Sequence, residues 1–291
     1  MQRFTLTMLG SCFTVGMLTF GGAGIAQAAI ETQDFSSDPS ADGWTGLNNG
    51  ASGFGFSAAS NNTLGDPAGE AGGTFARNTV HYYADTTLGT TYGVFDSVQA
   101  SGELYLDKIN GDTVNYVGYF DTNNVNPSDD TVLGLRIAPD GLPDRNTVMA
   151  TAFGGDFIEY NNDGTNDTTN SRSVILDDGA YAFQMTYTAN PLGDGNPVPN
   201  PGTLEVILWD DNGTEVARIY NSLGLNQDRS ARAFNAFGFF GGGNGAFDNS
   251  GTNTYFIDDL AYTSAIPEPA SLALLGVGGL TLLLRRRHAA A

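Results

Sequence analysis

Apolar positions in this chain recur at every second residue and rarely at the spacing of a helix. Residues 203–209 (TLEVILW) and 214–220 (TEVARIY) alternate in this way on either side of Asp210-Asp211-Asn212-Gly213. A period of two marks a strand with one buried face, and Asn-Gly supplies the positive φ angles of a tight turn, so this pair predicts a β-hairpin. Residues 102–107 and 113–120 flank Asn110-Gly111-Asp112 and predict a second hairpin. Residues 131–138 run into a Pro139-Asp140-Gly141 turn, and residues 173–176 and 180–189 flank Asp177-Asp178-Gly179. Residues 233–240 (AFNAFGFF) predict a buried strand, 241–252 a loop rich in glycine and asparagine, and 254–263 (TYFIDDLAYT) the last strand. No stretch between residues 29 and 265 keeps a helical period, and no repeat of fixed length is present, which argues against a solenoid or propeller. The Pro- and Gly-rich stretch 190–202 has strands of the same character on both sides, so it reads as a surface loop rather than a linker. The expected fold is all-β, an antiparallel β-sandwich in one domain over residues 29–264.

The two ends break this pattern. Arg3 precedes an apolar stretch over residues 4–25, and Ala26-Gln27-Ala28 follows as a small-x-small site. This predicts a signal peptide over residues 1–28, cleaved before Ala29. Cys12 leaves with it, so the exported body has no cysteine and no disulfide or thiol chemistry. Residues 265–291 form the other end. Pro267-Glu268-Pro269 comes first, then an uncharged apolar run over 270–284, then Arg285, Arg286 and Arg287. As a helix the run spans roughly 22 Å against a hydrocarbon core of ~30 Å, with Ile266 and snorkelling arginines extending it. One C-terminal transmembrane helix is expected, with the arginines on the cytoplasmic side and the body facing outward.

This order of three features at the C-terminus resembles the PEP-CTERM sorting signal, found on exported proteins of Gram-negative bacteria that make exopolysaccharide. The resemblance implies recognition by an exosortase-like membrane enzyme, with Pro267, Glu268 and Pro269 as the recognition element. Arg285, Arg286 and Arg287 would hold the tail transiently in the inner membrane. The implied destination is the cell envelope, the outer surface or the extracellular matrix.

Charge narrows the partners. The chain carries 32 acidic and 12 basic residues. Setting aside Glu268, Arg3 and Arg285 to Arg287 leaves the body near −23, with Lys108 as its only lysine. Nucleic acid and anionic lipid surfaces repel such a charge, whereas calcium and secreted solubility suit it.

Three further stretches frame the body: 35–39 (FSSDP) followed by Trp44, 69–77 (GEAGGTFAR), and the closing 255–262 (YFIDDLAY). Together they are similar to concanavalin A-like lectin and glucanase jelly rolls, and the last resembles the closing strand of jelly-roll carbohydrate-binding modules. That likeness implies two packed antiparallel sheets, a concave face able to hold a glycan, and a structural calcium. The calcium ligands would be Asp258 or Asp259 with Asp34 and Asp38. Residues 159–167 (EYNNDGTND) also look like a calcium loop, but Glu159 opens it and Asn170 stands where a closing Glu belongs, so they read as a polar turn. Trp44, Tyr116, Tyr119 and Trp209 are the candidates for stacking on sugar faces.

Hydrolysis finds no matching constellation. Jelly-roll glucanases carry Glu-x-Asp-x-Glu on one strand, and this chain has none. Glu103 and Asp107 share a strand face but lie roughly 13 Å apart, too far for a retaining pair at ~5.5 Å. His81 is the one histidine of the body, which excludes a His-based zinc site. The protein is therefore expected not to be an enzyme, and no catalytic residue is assigned. The expected function is an exported, exosortase-sorted surface or matrix protein that binds polysaccharide. The alternatives are a structural surface protein without a ligand and a jelly-roll glycoside hydrolase.

Overall fold

The computed structural model describes residues 28–47, 54–59, 69–76, 80–109, 113–124, 132–139, 145–152, 173–189, 202–222, 233–243 and 252–265. In chain order the strands begin with β1 (Ala28–Gln33), β2 (Trp44–Leu47), β3 (Gly55–Ser57), β4 (Glu70–Ala76), β5 (His81–Asp85) and β6 (Tyr92–Gly93). Next come β7 (Val98–Ile109), β8 (Thr113–Phe120), β9 (Val132–Pro139), β10 (Arg145–Ala152), β11 (Ser173–Asp177) and β12 (Gly179–Ala189). The last are β13 (Gly202–Trp209), β14 (Glu215–Ser222), β15 (Ala233–Phe234), β16 (Ala236–Gly243) and β17 (Thr252–Ala265).

They form the expected antiparallel sandwich. The first sheet has eight strands in the order β14-β13-β12-β7-β17-β4-β3, with β1 also paired to β17. The second has seven, in the order β11-β10-β9-β8-β16-β5-β2, and β6 and β15 make a small ribbon. Alternation along the strands explains the core. Leu104, Leu106, Phe183, Met185, Leu204 and Val206 from the first sheet share one buried cluster with Val117, Tyr119, Leu133, Leu135, Phe237 and Phe239 from the second. Aromatic rings fill the width between the sheets. Phe237 stacks on Tyr262 with centroids 4.4 Å apart, Phe54 meets Phe239 edge-on at 4.5 Å, and Phe35 meets Trp44 at 5.1 Å. Burial of each such ring stabilises the fold by about 1.5–3 kcal/mol. A smaller cluster, with Tyr116, Phe120, Val132 and Phe240, lies on the outer face of the second sheet.

The long closing strand β17 is central. Its flank toward β7 is paired along most of its length, while the other flank is shared end to end by β4 and β1. A bulge interrupts it: Asp258 pairs with Glu103 and Ala261 with Ser101, leaving Asp259 and Leu260 opposite Gly102. Asp259 adopts φ 47°. A Cβ on Gly102 would stand 2.5 Å from Leu260 Cδ2 and 3.0 Å from the Asp258 carbonyl oxygen, so a larger residue there would have to push the Leu260 side chain aside. The extra residue reverses the alternation. Tyr255 and Ile257 face the core before the bulge, and Leu260 and Tyr262 face it afterwards.

Some local expectations change. The hairpin at residues 203–220 forms, closed by Asp210 Oδ1 accepting from the Asn212 and Thr214 amides, with Gly213 at φ 76°. Asn212 is not among the positive-φ residues, so the turn is a longer loop rather than a two-residue one. The hairpin expected over 102–120 does not form. β7 pairs with β12 and β17 in the first sheet, and β8 with β9 and β16 in the second, so the connection crosses between sheets. Both strands turn their apolar faces to the same core, which a crossing satisfies as well as a hairpin does. Likewise Asp177 ends a strand of the second sheet and Gly179 begins one of the first. Gly241, Gly242 and Gly243, expected in a loop, continue β16 by pairing with Asn115, Val114 and Thr113. A ladder already set by Phe240 and Tyr116 overrides the low strand preference of glycine.

Buried phenols set the alkaline limit of this fold. Burial pushes up the hydroxyls of Tyr83, Tyr119, Tyr255 and Tyr262, and that of Tyr92 to about 12, with the Asp96 carboxylate adding to the rise. The folded state keeps these protons longer than the unfolded chain, whose tyrosines titrate near 10. Their contribution is complete below pH ~10 and is lost as pH rises through the folded values. In a spectrophotometric titration the tyrosinate band of these rings should therefore appear together with loss of near-ultraviolet circular dichroism, above pH ~10.

Candidate functional site

The outward-facing side of the first sheet is open and polar, and its residues fall in rows fixed by register. One row runs Glu205, Thr186, Gln99; the next runs Ile207, Gln184, Ser101, Ala261, Thr32; a third runs Trp209, Ala182, Glu103, Asp258. Gln99 and Gln184 are exposed. A groove of about 280 Å³ lies across these rows, lined by Ile30, Gln99, Ala100, Ser101, Gln184 and Ala261. Ile30, on β1, is 48% exposed and supplies an apolar wall. Gln99 N donates to Thr263 Oγ1 at 2.9 Å, which fixes the backbone under the groove while leaving the amide side chain outside. Toward β14 the face is ionic. Arg218 donates to Glu205 and to both oxygens of Glu215, which holds the Glu215 carboxyl below its ordinary range. Amides, a hydroxyl and one apolar side chain in a shallow trough can hydrogen-bond the hydroxyls of a flat polar ligand and cover its C–H face.

The stacking candidates lie mostly elsewhere. Trp44 is 2% exposed, at the centre of the core against Phe35, Tyr83 and Tyr262. Tyr119 is wholly buried, and its hydroxyl accepts from Thr263 N at 2.8 Å and donates toward the carbonyls of Gln99 and Thr263. Tyr116 faces the opposite side from Tyr119, stacked on Phe240 at 4.7 Å, and is 1% exposed. None of these three presents a ring face to a sugar. Trp209 is half-buried at the end of β13, on the same outward face as Gln184. Period-two aromatics carry no mark that separates a core ring from an exposed one, and the groove residues Gln99, Ser101 and Gln184 have no motif at all. Only the register of four strands brings them together.

Of the acidic candidates, Asp258 and Asp259 lie at the bulge, and Asp34 follows the end of the strand paired beside it. Gln33 pairs with Leu260, so Asp34 follows one position beyond, beside Asp259. Asp259 is exposed and Asp258 is fully buried, with the Asp259 amide donating to Asp258 Oδ1 at 2.8 Å. Ile257 pairs with Ala71, which places buried Glu70 next to Asp258. Asp34 Oδ1 accepts from the Ser36 amide and hydroxyl, and those bonds lower its pKa. Asp38 Oδ1 accepts from Ser40 N and caps the short 3-10 turn Pro39–Asp42. Among the described residues no three His, Cys, Asp or Glu side chains gather around a metal position. Residues 159–170 lie outside the described residues. His81 is buried beside Phe54, with ring centroids 4.8 Å apart, in the core rather than at the groove.

Ala28, of the small-x-small site, opens β1 and pairs with Ala265. Ala26, the Pro267, Glu268 and Pro269 element, and Arg285, Arg286 and Arg287 lie outside the described residues. Among the described residues no helix is long and apolar enough to cross a membrane. Residues 265–287 match the PEP-CTERM protein-sorting motif. This motif marks an exported protein of the cell envelope sorted by an exosortase. No curated protein matches the chain. Among solved structures it is similar to a protein of unknown function from Shewanella oneidensis MR-1, at 9% identity, covering 87% of this chain and 97% of that one, with a TM-score of 0.47. It is also similar to the basic winged bean lectin with Tn-antigen, at 10% identity over 83% of this chain and 100% of the lectin, with a TM-score of 0.42. A third is alginate lyase vAL-1 from Chlorella virus, at 12% identity over 80% of this chain and 98% of the lyase, with a TM-score of 0.38.

Substitutions should separate groove from core. Gln99→Ala and Gln184→Ala remove exposed side chains and should each change stability by less than ~0.5 kcal/mol. Trp44→Ala should cost about 3–5 kcal/mol. Urea midpoints of the three variants test this, and a large loss from either glutamine would place it in the core framework.

Proposed function

We propose that the sandwich binds a neutral polysaccharide in the groove on the outer face of its first sheet, at the cell surface to which the sorting motif directs it. The observation that carries the reading is the pair of exposed amides, Gln99 and Gln184, from adjacent rows, which share one trough with Ser101 and Ile30. Side-chain amides offer donor and acceptor together, which suits neighbouring sugar hydroxyls. Trp209 lies one row away and supplies the remaining aromatic surface. A body near −23 disfavours polyanionic glycans, and Arg218 is already held by Glu205 and Glu215. Exopolysaccharide of the producing cell is the natural ligand in this reading, and the protein has no catalytic role. A structural calcium belongs to the same proposal, with Asp34 and Asp258 or Asp259 as carboxylates and backbone carbonyls completing an oxygen shell. A purely structural surface role is the second reading, favoured by the burial of Trp44, Tyr116 and Tyr119.

Retention of residues 29–264 on a panel of polysaccharides, with calcium and with chelator, tests these readings. Binding should fall roughly tenfold when Gln99→Ala and Gln184→Ala are combined, about 1.4 kcal/mol, the size of one or two lost hydrogen bonds. Retention unchanged by that pair would remove the groove. No retention on any glycan would leave the structural role. A melting temperature unmoved by chelator would remove calcium.

A further inference from the structure

The low ground of the outer face does not end at Gln184. β12 carries its outward side chains at Gln184, Ala182 and Ala180, so the strand between β13 and β7 drops from a long amide to two methyl groups. Register sets larger side chains beside that step. Trp209 on β13 and Glu103 on β7 flank Ala182, and Tyr105 on β7 stands beside Ala180. Strands lie about 4.8 Å apart, so the two banks are roughly 10 Å from each other. Ser101 and Ala261, paired on β7 and β17, continue the low floor into the trough beside Ile30. Trp209, Ala182, Ala180 and Tyr105 are half-buried and keep part of their surface in solvent. From Gln99 to Tyr105 this furrow follows β7 for roughly 20 Å.

The chemistry changes along that line. Gln99 and Gln184 offer donors and acceptors at one end, and Trp209 and Tyr105 offer aromatic surface at the other. Phe256 braces Tyr105, with ring centroids 6.4 Å apart. Burial raises the Tyr105 pKa and the Asp107 and Asp178 carboxylates add to the rise, so this end is electronegative. Asp210 and Asp211 follow Trp209 directly. A uronate or phosphate chain meets repulsion there. A peptide strand finds no edge to join, because β7 and β12 are each paired on both flanks. A neutral glycan brings hydroxyls for the amides and C–H faces for the rings.

We infer that Trp209 is the stacking platform of this site, with Tyr105 on the facing bank, and that the furrow holds a neutral glycan lengthwise, as a stretch of chain rather than a single sugar. The inference rests on the groove binding polysaccharide. It adds the side chains that stack on the ligand and the length of ligand the site requires.

Tryptophan fluorescence tests this without altering the site. The chain has two tryptophans, and Trp44 is 2% exposed in the core, so emission that acrylamide quenches belongs to Trp209. The protein as exported by its host is titrated with each neutral polysaccharide of the panel, hydroxyethylcellulose and dextran among them, and with glucose and polygalacturonate. A neutral polymer that retains the protein should lower the quenching constant, whereas glucose at the same sugar concentration and polygalacturonate should leave it unchanged. Trp209→Ala and Tyr105→Ala should each weaken retention on that polymer roughly three- to tenfold, the size of one aromatic contact, and Trp209→Phe should restore most of it. The quenching titration and Tyr105→Ala decide the matter if Trp209→Ala does not fold. Quenching unchanged by a polymer that retains the protein, or retention unchanged in Tyr105→Ala, would overturn the inference and leave the amide groove standing. Protection by glucose equal to that by the polymer, or protection by polygalacturonate, would overturn it as well. If no polysaccharide of the panel retains the protein, the groove reading fails and this inference falls with it.

Discussion

Strand β17 is the constraint on which the sandwich depends. It is paired on both flanks, and its core-facing side chains, Tyr255, Ile257, Leu260 and Tyr262, reach across to the second sheet. One flank is divided between β4 and β1, which meet end to end near Asp258 and Asp259. The fourteen-residue strand shifts register against β7 between Asn253 and Tyr255 and again at Asp258 to Ala261, and such bulges bend a strand and increase its local twist. Gly102 is the matching concession on β7. The same geometry places Asp258 and Asp259 at the bulge and Glu70 and Asp34 on or just beyond the two strands that share that flank, without gathering three of these side chains around one position. Chain ends and bulges are where a sheet can admit acidic side chains without placing them among the core rings.

The two outer faces divide the remaining work. The second sheet carries a covered apolar cluster with Tyr116 and Phe240 stacked, and its three central strands bring Gly118, Gly134 and Gly238 into register. The first sheet carries amides, hydroxyls and paired ions in the open. An exposed polar face on an antiparallel sheet is ordinary, and by itself implies only solubility. What distinguishes this one is the trough between β1, β17, β7 and β12, where Ile30 forms a wall against two glutamines.

The period of two in the sequence was sufficient for an all-β sandwich, and Asp210 to Gly213 for one hairpin. It could not assign strands to sheets. Residues 102–107 and 113–120 show the reason: both have one apolar face, and a hairpin or a crossing buries each equally well. The same ambiguity misled the choice of sugar-facing rings. Trp44 and Tyr119 alternate as any exposed aromatic would, but they are the rings that fill the inter-sheet space. The groove was invisible because Gln99, Ser101, Gln184 and Ile30 are far apart in sequence and ordinary in type. The sorting tail was legible because its signal is local, three features in fixed order, and needs no tertiary pairing.

A disulfide-free exported body must hold its ends by other means. In this fold the first and last strands close on each other, so fraying at either terminus exposes the partner of the other. Thr263 and Ser264 are tied to Tyr119 and Leu88, elements of the body that lie far from the ends in sequence. The ladder therefore resists peeling from the C-terminal end of β17. The same closure sets a wall of the groove, since Ile30 belongs to β1 and Ala261 to β17. Stripping β1 from β17 would remove Ile30 from the trough, while Gln99 and Ser101 would stay on β7 between β12 and β17. The integrity of the ends and the shape of the proposed binding surface are thus one structural property.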